Sequence, residues 1–187
     1  MEMNKIEVGG VYWDGRLGVR KVLEIEKMPP GVMIPDAGVR YEVLFARAMT
    51  AAAFDVKTNE GNPGGRMILS SLASWSKEKV APEDVEPLLA RLKAERFRPS
   101  PAQAALVLRL QEVQGESNQV VPLLPRETTP KGALVAAGFL ISPSGTKFAR
   151  LSLAGRALAQ RLSPAQTPSE PAPEPAAVAP KSRGPRP

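Results

Sequence analysis

The chain contains no cysteine and no histidine among its 187 residues. The first absence excludes disulfide bonds and thiolate nucleophiles, and the two absences together exclude zinc sites built from these ligands. A Ser-His-Asp catalytic triad is excluded for the same reason. Any catalysis would therefore depend on carboxylates, lysine, tyrosine or serine.

Signals for a membrane or a secretory route are missing as well. No apolar run reaches the about 20 residues that a transmembrane helix needs. The first ten residues, MEMNKIEVGG, lack the charged and then apolar pattern of a signal peptide. We therefore expect a cytoplasmic protein that does not associate with a membrane.

Nucleotide-binding and metal-binding motifs are also lacking. The sequence has no Walker loop, no dinucleotide fingerprint and no EF-hand loop. The glycines of Glu60–Arg66 are not followed by Lys-Ser or Lys-Thr, so they indicate a hairpin loop. The carboxylates of Asp14 and Glu42 are the enzymatic alternative, but no two acids have a spacing that implies a site. We expect no enzyme, no metal and no cofactor.

The positive charge is concentrated in the second half of the chain. Residues 88–162 carry 11 Lys and Arg against 4 Asp and Glu, a net charge of +7. Residues 1–87 carry 11 against 13, a net charge of −2. A basic segment of this kind is typical of a module that meets a polyanion, and an ordinary solvated face is the alternative.

Residues 1–80 predict a small antiparallel β-barrel or curled sheet. Apolar and polar residues alternate in Gly18–Glu26 and Val39–Ala46, and a further strand is expected at Arg66–Leu69. A short helix, SLASWSKEKV, follows. This arrangement resembles the SH3-like barrels of many phage and mobile-element proteins. Such barrels bind peptides, RNA, DNA or other subunits, so the resemblance implies a partner for the barrel, which includes a protein partner among its alternatives. Tyr12 and Trp13 form either an exposed binding platform or a pair in which one residue is core and the other covers the barrel mouth.

Residues 81–99 predict a linking helix. Pro82 suits the first turn, and Pro99 ends the helix. Val85, Leu88, Leu89 and Leu92 form an apolar stripe at helical spacing.

Residues 100–162 predict the order helix, short helix, hairpin and helix. The first helix starts at Ser100-Pro101 and the second at Thr129-Pro130. Gly138 ends the second helix, and Ser152 is placed to cap the last one. Pro122 and Pro125 interrupt the region between the first two helices.

The runs ALVAAGFLIS and KFARLSLAGRALA are similar to the end of MarR-like winged-helix domains. The matching positions are Leu134, Gly138, Leu140-Ile141, the turn 143–147, Leu151-Ser152 and Gly155. The resemblance implies that the helix before Gly138 enters the major groove of duplex DNA and that the hairpin touches the backbone. The residues it assigns to DNA binding are Arg126, Thr128, Thr129, Lys131, Lys147, Arg150 and Arg156.

The sequence thus predicts an α+β protein with a winged-helix-like module at 100–162. Residues 163–187 are rich in proline and alanine and predict a disordered tail. We expect a non-enzymatic DNA-binding protein with a regulatory or accessory role. The alternative is an adaptor or inhibitor, from a phage or mobile element, that docks on a host complex.

Overall fold

The computed structural model describes residues 1–27, 37–46, 56–57, 63–143 and 145–163. This part of the chain is α+β, with two antiparallel sheets and five α-helices. The strands are β1 Val11–Trp13, β2 Val19–Lys27, β3 Ala37–Phe45, β4 Val56–Lys57, β5 Pro63–Ile68, β6 Glu78–Val80, β7 Val121–Pro122, β8 Leu140–Ile141 and β9 Phe148–Leu151. The helices are α1 Leu69–Trp75, α2 Pro82–Arg96, α3 Pro101–Gln114, α4 Thr128–Ala136 and α5 Leu153–Leu162.

The front half of the chain forms a six-stranded sheet in the order β4-β5-β3-β2-β1-β6. Its longest strands, β2 and β3, are the two alternating segments of the sequence, and Val22 lies opposite Tyr41 in their register. The predicted antiparallel sheet is therefore confirmed. A closed barrel is not found in the described residues, because β4 and β6 form the two ends of the sheet.

The short helix predicted after the sheet is only partly correct. Helix α1 ends at Trp75, and the backbone of Ser76 is extended. The residues that follow form β6, which pairs with β1 so that Val80 lies opposite Val11. The free edge of β1 thus takes residues that the sequence assigned to a helix, since pairing there satisfies their backbone groups.

The sheet is covered on both faces, and β1 illustrates the alternation. Tyr12 is fully buried with Val22 and Leu72 under α1. Its neighbour Trp13 is half-buried and faces the opposite cluster, which contains Leu88 and Leu92 of α2. Tyr12 is therefore a core residue, whereas the face of the sheet that carries Trp13 is covered by α2.

Helix α2, the predicted linking helix, joins the two halves of the described chain. Leu88 and Leu92 pack against the sheet, while Ala90 and Ala94 belong to the core of the second half. Residues two apart on a helix point about 200° apart, so these two pairs lie on opposite faces. The small alanines allow α5 to pack closely on α2. The domain boundaries themselves stay a prediction.

The second half surrounds a core that includes Leu110, Leu134, Phe139 and Leu158. Its sheet has the strand order β7-β9-β8. Strand β7 was not predicted, because Pro122 argued against regular structure there. Proline is tolerated because β7 lies at an edge of this sheet, where its missing N–H breaks no ladder.

The described residues bear only in part on the expectations about a membrane-spanning helix, the tail and the wing turn. None of the helices in the described ranges combines the length and apolar character needed to cross a membrane. The predicted tail lies outside the described residues except for Ser163, and so does Ser144 in the predicted wing turn.

Candidate nucleic-acid interface

Three residues close the corner where α4, the hairpin and α5 meet. Gly138 follows α4 with a φ of +72°, a conformation that favours glycine. Ser152 caps α5, since its Oγ accepts a hydrogen bond from the N–H of Gly155 at 3.1 Å and donates one to the carbonyl of Gly138 at 2.7 Å. A Cβ on Gly155 would lie 2.1 Å from the carbonyl oxygen of Phe139. The predicted cap and helix-ending glycine are confirmed.

The loop between β8 and β9 is tied to the start of α4. Lys131 Nζ donates a hydrogen bond to the carbonyl of Thr146 at 2.6 Å. The N–H of Leu123 donates to the carbonyl of Lys147 at 2.7 Å, which holds the same loop against the segment before α4. These bonds bring the hairpin loop, the turn at Pro125–Glu127 and the first turn of α4 to one edge, which we call the wing edge.

Two predicted cations lie on the wing edge and a third lies on β9, and none of them has an acidic partner in the described part of the chain. Arg126 and Lys147 are exposed, and Arg150 is half-buried on the outer side of β9, opposite Ile141. None of the three makes an ion pair with a described residue. Thr129 is exposed, as is Thr128, whose Oγ1 donates to the carbonyl of Pro125 at 2.9 Å.

Lys131 and Arg156 have internal partners instead. The guanidinium of Arg156 donates to the carbonyls of Gly115 and Glu116 at 3.4 and 3.2 Å and to Asn118 Oδ1 at 3.1 Å. It also donates to the carbonyl of Ser117. Arg156 therefore ties α5 to the C-terminal end of α3, and Lys131 positions the hairpin loop. A further contact of either residue with DNA stays a prediction.

A buried ion pair that the sequence analysis missed supports the turn before α4. Glu127 is buried, and both of its oxygens lie 2.6 Å from nitrogens of Arg109 on α3. One of these oxygens also accepts a hydrogen bond from the N–H of Leu124 at 2.8 Å. The pair fixes the backbone that presents Arg126. The two residues are 18 positions apart, and no local pattern marks them as partners.

Another cation of the basic segment is a structural cap. Arg161 donates hydrogen bonds to the carbonyls of Ala94, Glu95 and Phe97, at the end of α2. Burial lowers the pKa of Arg161, and the neighbouring charge of Arg98 lowers it further. Part of the positive charge counted in the sequence is thus committed to helix ends.

Helix α4 presents few groups that can read a base edge. Its exposed positions include Thr129, Gly132, Ala133 and Ala136. Base recognition in the major groove depends mainly on arginine, lysine, asparagine and glutamine. The exposed face of α4 therefore suits close approach to a backbone better than the reading of a sequence.

The outer side of the small sheet also carries apolar groups. Ile141 and Phe148 are 44% and 47% exposed. They lie on the same side as Arg150, because the residues between them alternate with buried ones. Leu124, which precedes the 3-10 turn, is exposed as well.

No protein-family model, curated protein or solved structure matches the chain.

Proposed function

We propose that the chain is a non-enzymatic protein that binds duplex DNA through the wing edge. The observation that carries the proposal is the set of three cations, Arg126 in the turn before α4, Lys147 in the hairpin loop and Arg150 on β9, that have no acidic partner among the described residues. Unpaired cations favour phosphate, because they gain an anion without first losing an internal one. The net charge of +7 over residues 88–162 also favours binding to the negatively charged DNA backbone.

A winged-helix architecture is part of this proposal. The order α3, β7, α4, β8, β9 and α5, with β9 between β7 and β8, supports it. In this arrangement α4 is the helix that approaches the groove, and the loop before β9 is the wing. The chain departs from the MarR-like winged-helix domains at one point. Those domains have a helix before the helix that enters the groove, whereas the segment between β7 and α4 contains only the 3-10 turn Pro125–Glu127.

The proposed binding is tolerant of sequence. Arg126, Lys147 and Arg150 supply charge at the edges of the interface, where the backbone lies, and α4 offers little for base readout. Phosphate contacts set the position of a protein on DNA without selecting a sequence. An accessory role, such as coating or bending DNA beside another factor, follows more directly from this chemistry than operator recognition.

Fluorescence anisotropy of the full chain against a duplex of random sequence tests the proposal across a salt series. Three neutralised phosphates give a log–log slope of about −3. The triple variant Arg126→Ala, Lys147→Ala and Arg150→Ala should flatten this slope by about three units. The matched control removes three exposed cations of the front half that have no ion pair among the described residues, Arg16, Lys27 and Lys77, and should leave the slope nearly unchanged.

Two outcomes contradict the proposal. One is the absence of binding by the unmodified chain at about 50 mM salt, where phosphate contacts are strong. The other is an equal loss of affinity in the triple variant and in the control, which would assign binding to general charge. A second duplex of unrelated sequence should bind with an affinity within about threefold of the first, since the main contacts are to phosphate.

Protein docking is the second candidate function, and the exposed pair Ile141 and Phe148 favours it. Two exposed apolar side chains on the same outer sheet face are suited to burial against a partner. A protein partner captured by the unmodified chain and lost with Ile141→Ser and Phe148→Ser, with no salt-sensitive DNA affinity, would put this function first.

A further inference from the structure

A half-buried arginine on the front sheet lies against two aromatic rings. The guanidinium carbon of Arg20 lies 4.0 Å from the ring centre of Trp75 and 4.6 Å from that of Tyr41. Trp75 ends α1, and Tyr41 belongs to β3, so two elements fix the plane of the guanidinium. Stacking of this kind leaves the N–H groups directed outward from the edge of the plane.

The N–H groups of Arg20 are poorly satisfied within the described chain. Its one hydrogen bond there joins Nη1 to the sulfur of Met67 at 3.5 Å, and sulfur is a weak acceptor. No carboxylate among the described residues lies within ion-pair distance of Arg20. Burial lowers the pKa of Arg20, and electrostatic interactions with Tyr41 and Asp14 partly oppose this effect. An added anion would therefore stabilise this guanidinium.

Arg20 lines a cleft of about 290 Å³, together with Asp14, Arg16, Gly18 and Trp75. Asp14 is fixed by hydrogen bonds from the N–H groups of Arg16 and Gly18 at 2.8 and 2.9 Å. Gly18 is required for this packing, since a Cβ there would lie 2.6 Å from both Asp14 Oδ2 and the Trp75 ring. The cleft is thus a built feature with a cation on its wall and a fixed acid at its rim.

We infer that this cleft binds a carboxylate side chain of an acidic peptide segment on a protein partner, with Arg20 as the bidentate donor. The volume is slightly below the about 300 Å³ at which small-molecule pockets begin, so it suits one side chain rather than a whole ligand. Arginine and a carboxylate match as two flat groups that share two parallel hydrogen bonds. The main-chain N–H of the same peptide can donate to Asp14 at the rim.

The shape of the guanidinium site, rather than its charge, favours a carboxylate over the phosphate diester of a nucleic acid, since each of these ligands carries a single negative charge. Arg16 and Arg20 contribute two positive charges, and Asp14 contributes one negative charge beside them. A flat carboxylate that is coplanar with the guanidinium fits beside the stacked rings, whereas a tetrahedral phosphate places oxygens out of that plane. This site lies on the front sheet, and the inference does not depend on the proposed DNA contact.

The test uses the full chain and the indole N–H signal of Trp75 in a proton–nitrogen NMR spectrum. The sequence contains two tryptophans, and the variant Trp13→Phe assigns the remaining signal to Trp75. The probe is N-acetylglutamate α-methylamide, and its glutamine analogue is the matched neutral control. We expect a saturable shift of the Trp75 signal with a Kd of about 1 mM for the glutamate probe, which is weak binding, and no shift for the glutamine analogue.

Substitutions of the arginines assign the site. Arg20→Met should abolish the shift, and Arg20→Lys should weaken binding roughly tenfold because lysine keeps the charge without the planar fork. Arg16→Met should weaken binding by less than about threefold, since Arg16 is exposed at the rim. Dispersed backbone signals in each spectrum establish that the variant is folded.

Three results would overturn the inference. One is an equal response to the glutamate probe and its glutamine analogue, or no response to either. Another is tighter binding of dimethyl phosphate than of the glutamate probe, which would assign the cleft to a nucleic-acid backbone. The third is persistence of the glutamate shift in folded Arg20→Met.

Discussion

Arg109 and Glu127 meet in a two-pronged ion pair in which both nitrogen–oxygen distances are 2.6 Å. The side chain of Glu127 is 9% exposed, and that of Arg109 is 26% exposed. Because the carboxylate also accepts the N–H of Leu124, the pair joins α3 to the turn before α4. The orientation of α4 therefore depends on an interaction between two segments that are not adjacent in sequence.

Removal of the arginine from this pair should be costly. We expect Arg109→Met to lower the free energy of unfolding by about 3 kcal/mol, because it leaves Glu127 buried without a counter-charge. Urea denaturation followed by circular dichroism measures the change. The control is Lys5→Met, whose ion pair with Glu2 is exposed on both sides and should cost less than about 0.5 kcal/mol. Equal effects of the two substitutions would contradict this account.

Two glycines should respond to alanine in opposite directions. Gly155→Ala places a Cβ against the backbone of Phe139, so we expect a loss of about 3 kcal/mol or no folded protein. Gly132 lies inside α4, where an added Cβ would meet nothing within 4 Å, and Gly132→Ala should stabilise the chain by about 0.5–1 kcal/mol. Thermal unfolding of both variants measures the difference. A stable Gly155→Ala protein would mean that α4 and α5 pack less tightly at their corner than the 2.1 Å approach requires.

Substitution of Lys147 should weaken DNA binding without changing stability, and substitution of Arg156 should lower stability without weakening DNA binding. Lys147→Ala should leave the free energy of unfolding within about 0.5 kcal/mol and reduce the salt slope of DNA binding by about one unit. Arg156→Met should leave the salt slope unchanged. It should lower the free energy of unfolding by about 1–2 kcal/mol, because it removes the hydrogen bonds to the segment that follows α3. Denaturation and anisotropy on the same samples measure both quantities. A reduced salt slope in folded Arg156→Met would instead make this residue a phosphate contact.

The two halves of the chain should unfold together. Leu92 is 1% exposed between α2 and the sheet, and Leu92→Ala should cost about 2–5 kcal/mol. Because α2 also carries Ala90 and Ala94 in the second core, we expect the unfolding midpoints measured by tryptophan fluorescence and by far-ultraviolet circular dichroism to fall in parallel. Leu153→Ala, at an exposed position of α5, is the control and should change either midpoint little. Two separate transitions would contradict the packing of α2 on both halves.

Local patterns in the sequence predicted the elements that depend on local physics. The alternation in β2 and β3 and the Ser152 cap are properties of short segments, and each appears where it was expected. The helix over 81–99 is also present, as α2, with proline in its first turn.

The features that the sequence analysis missed depend on partners far along the chain. Strand β6 forms because β1 offers an edge, and β7 forms because β9 lies beside it. The residues Lys131 and Arg156 looked like free cations, and only the fold places backbone carbonyls next to them. The number of charged residues can be counted from the sequence. Which of them form hydrogen bonds within the protein cannot be predicted in this way.

Helix α2 has a consequence for how the protein can be divided. A fragment that begins at Ser100 would lose Ala90 and Ala94 from its core and expose the surface of α5 that they cover. A fragment that ends at Val80 would leave the sheet without Leu88 and Leu92. The core of each half is therefore incomplete without α2. A transfer of either half into another protein would have to include this helix.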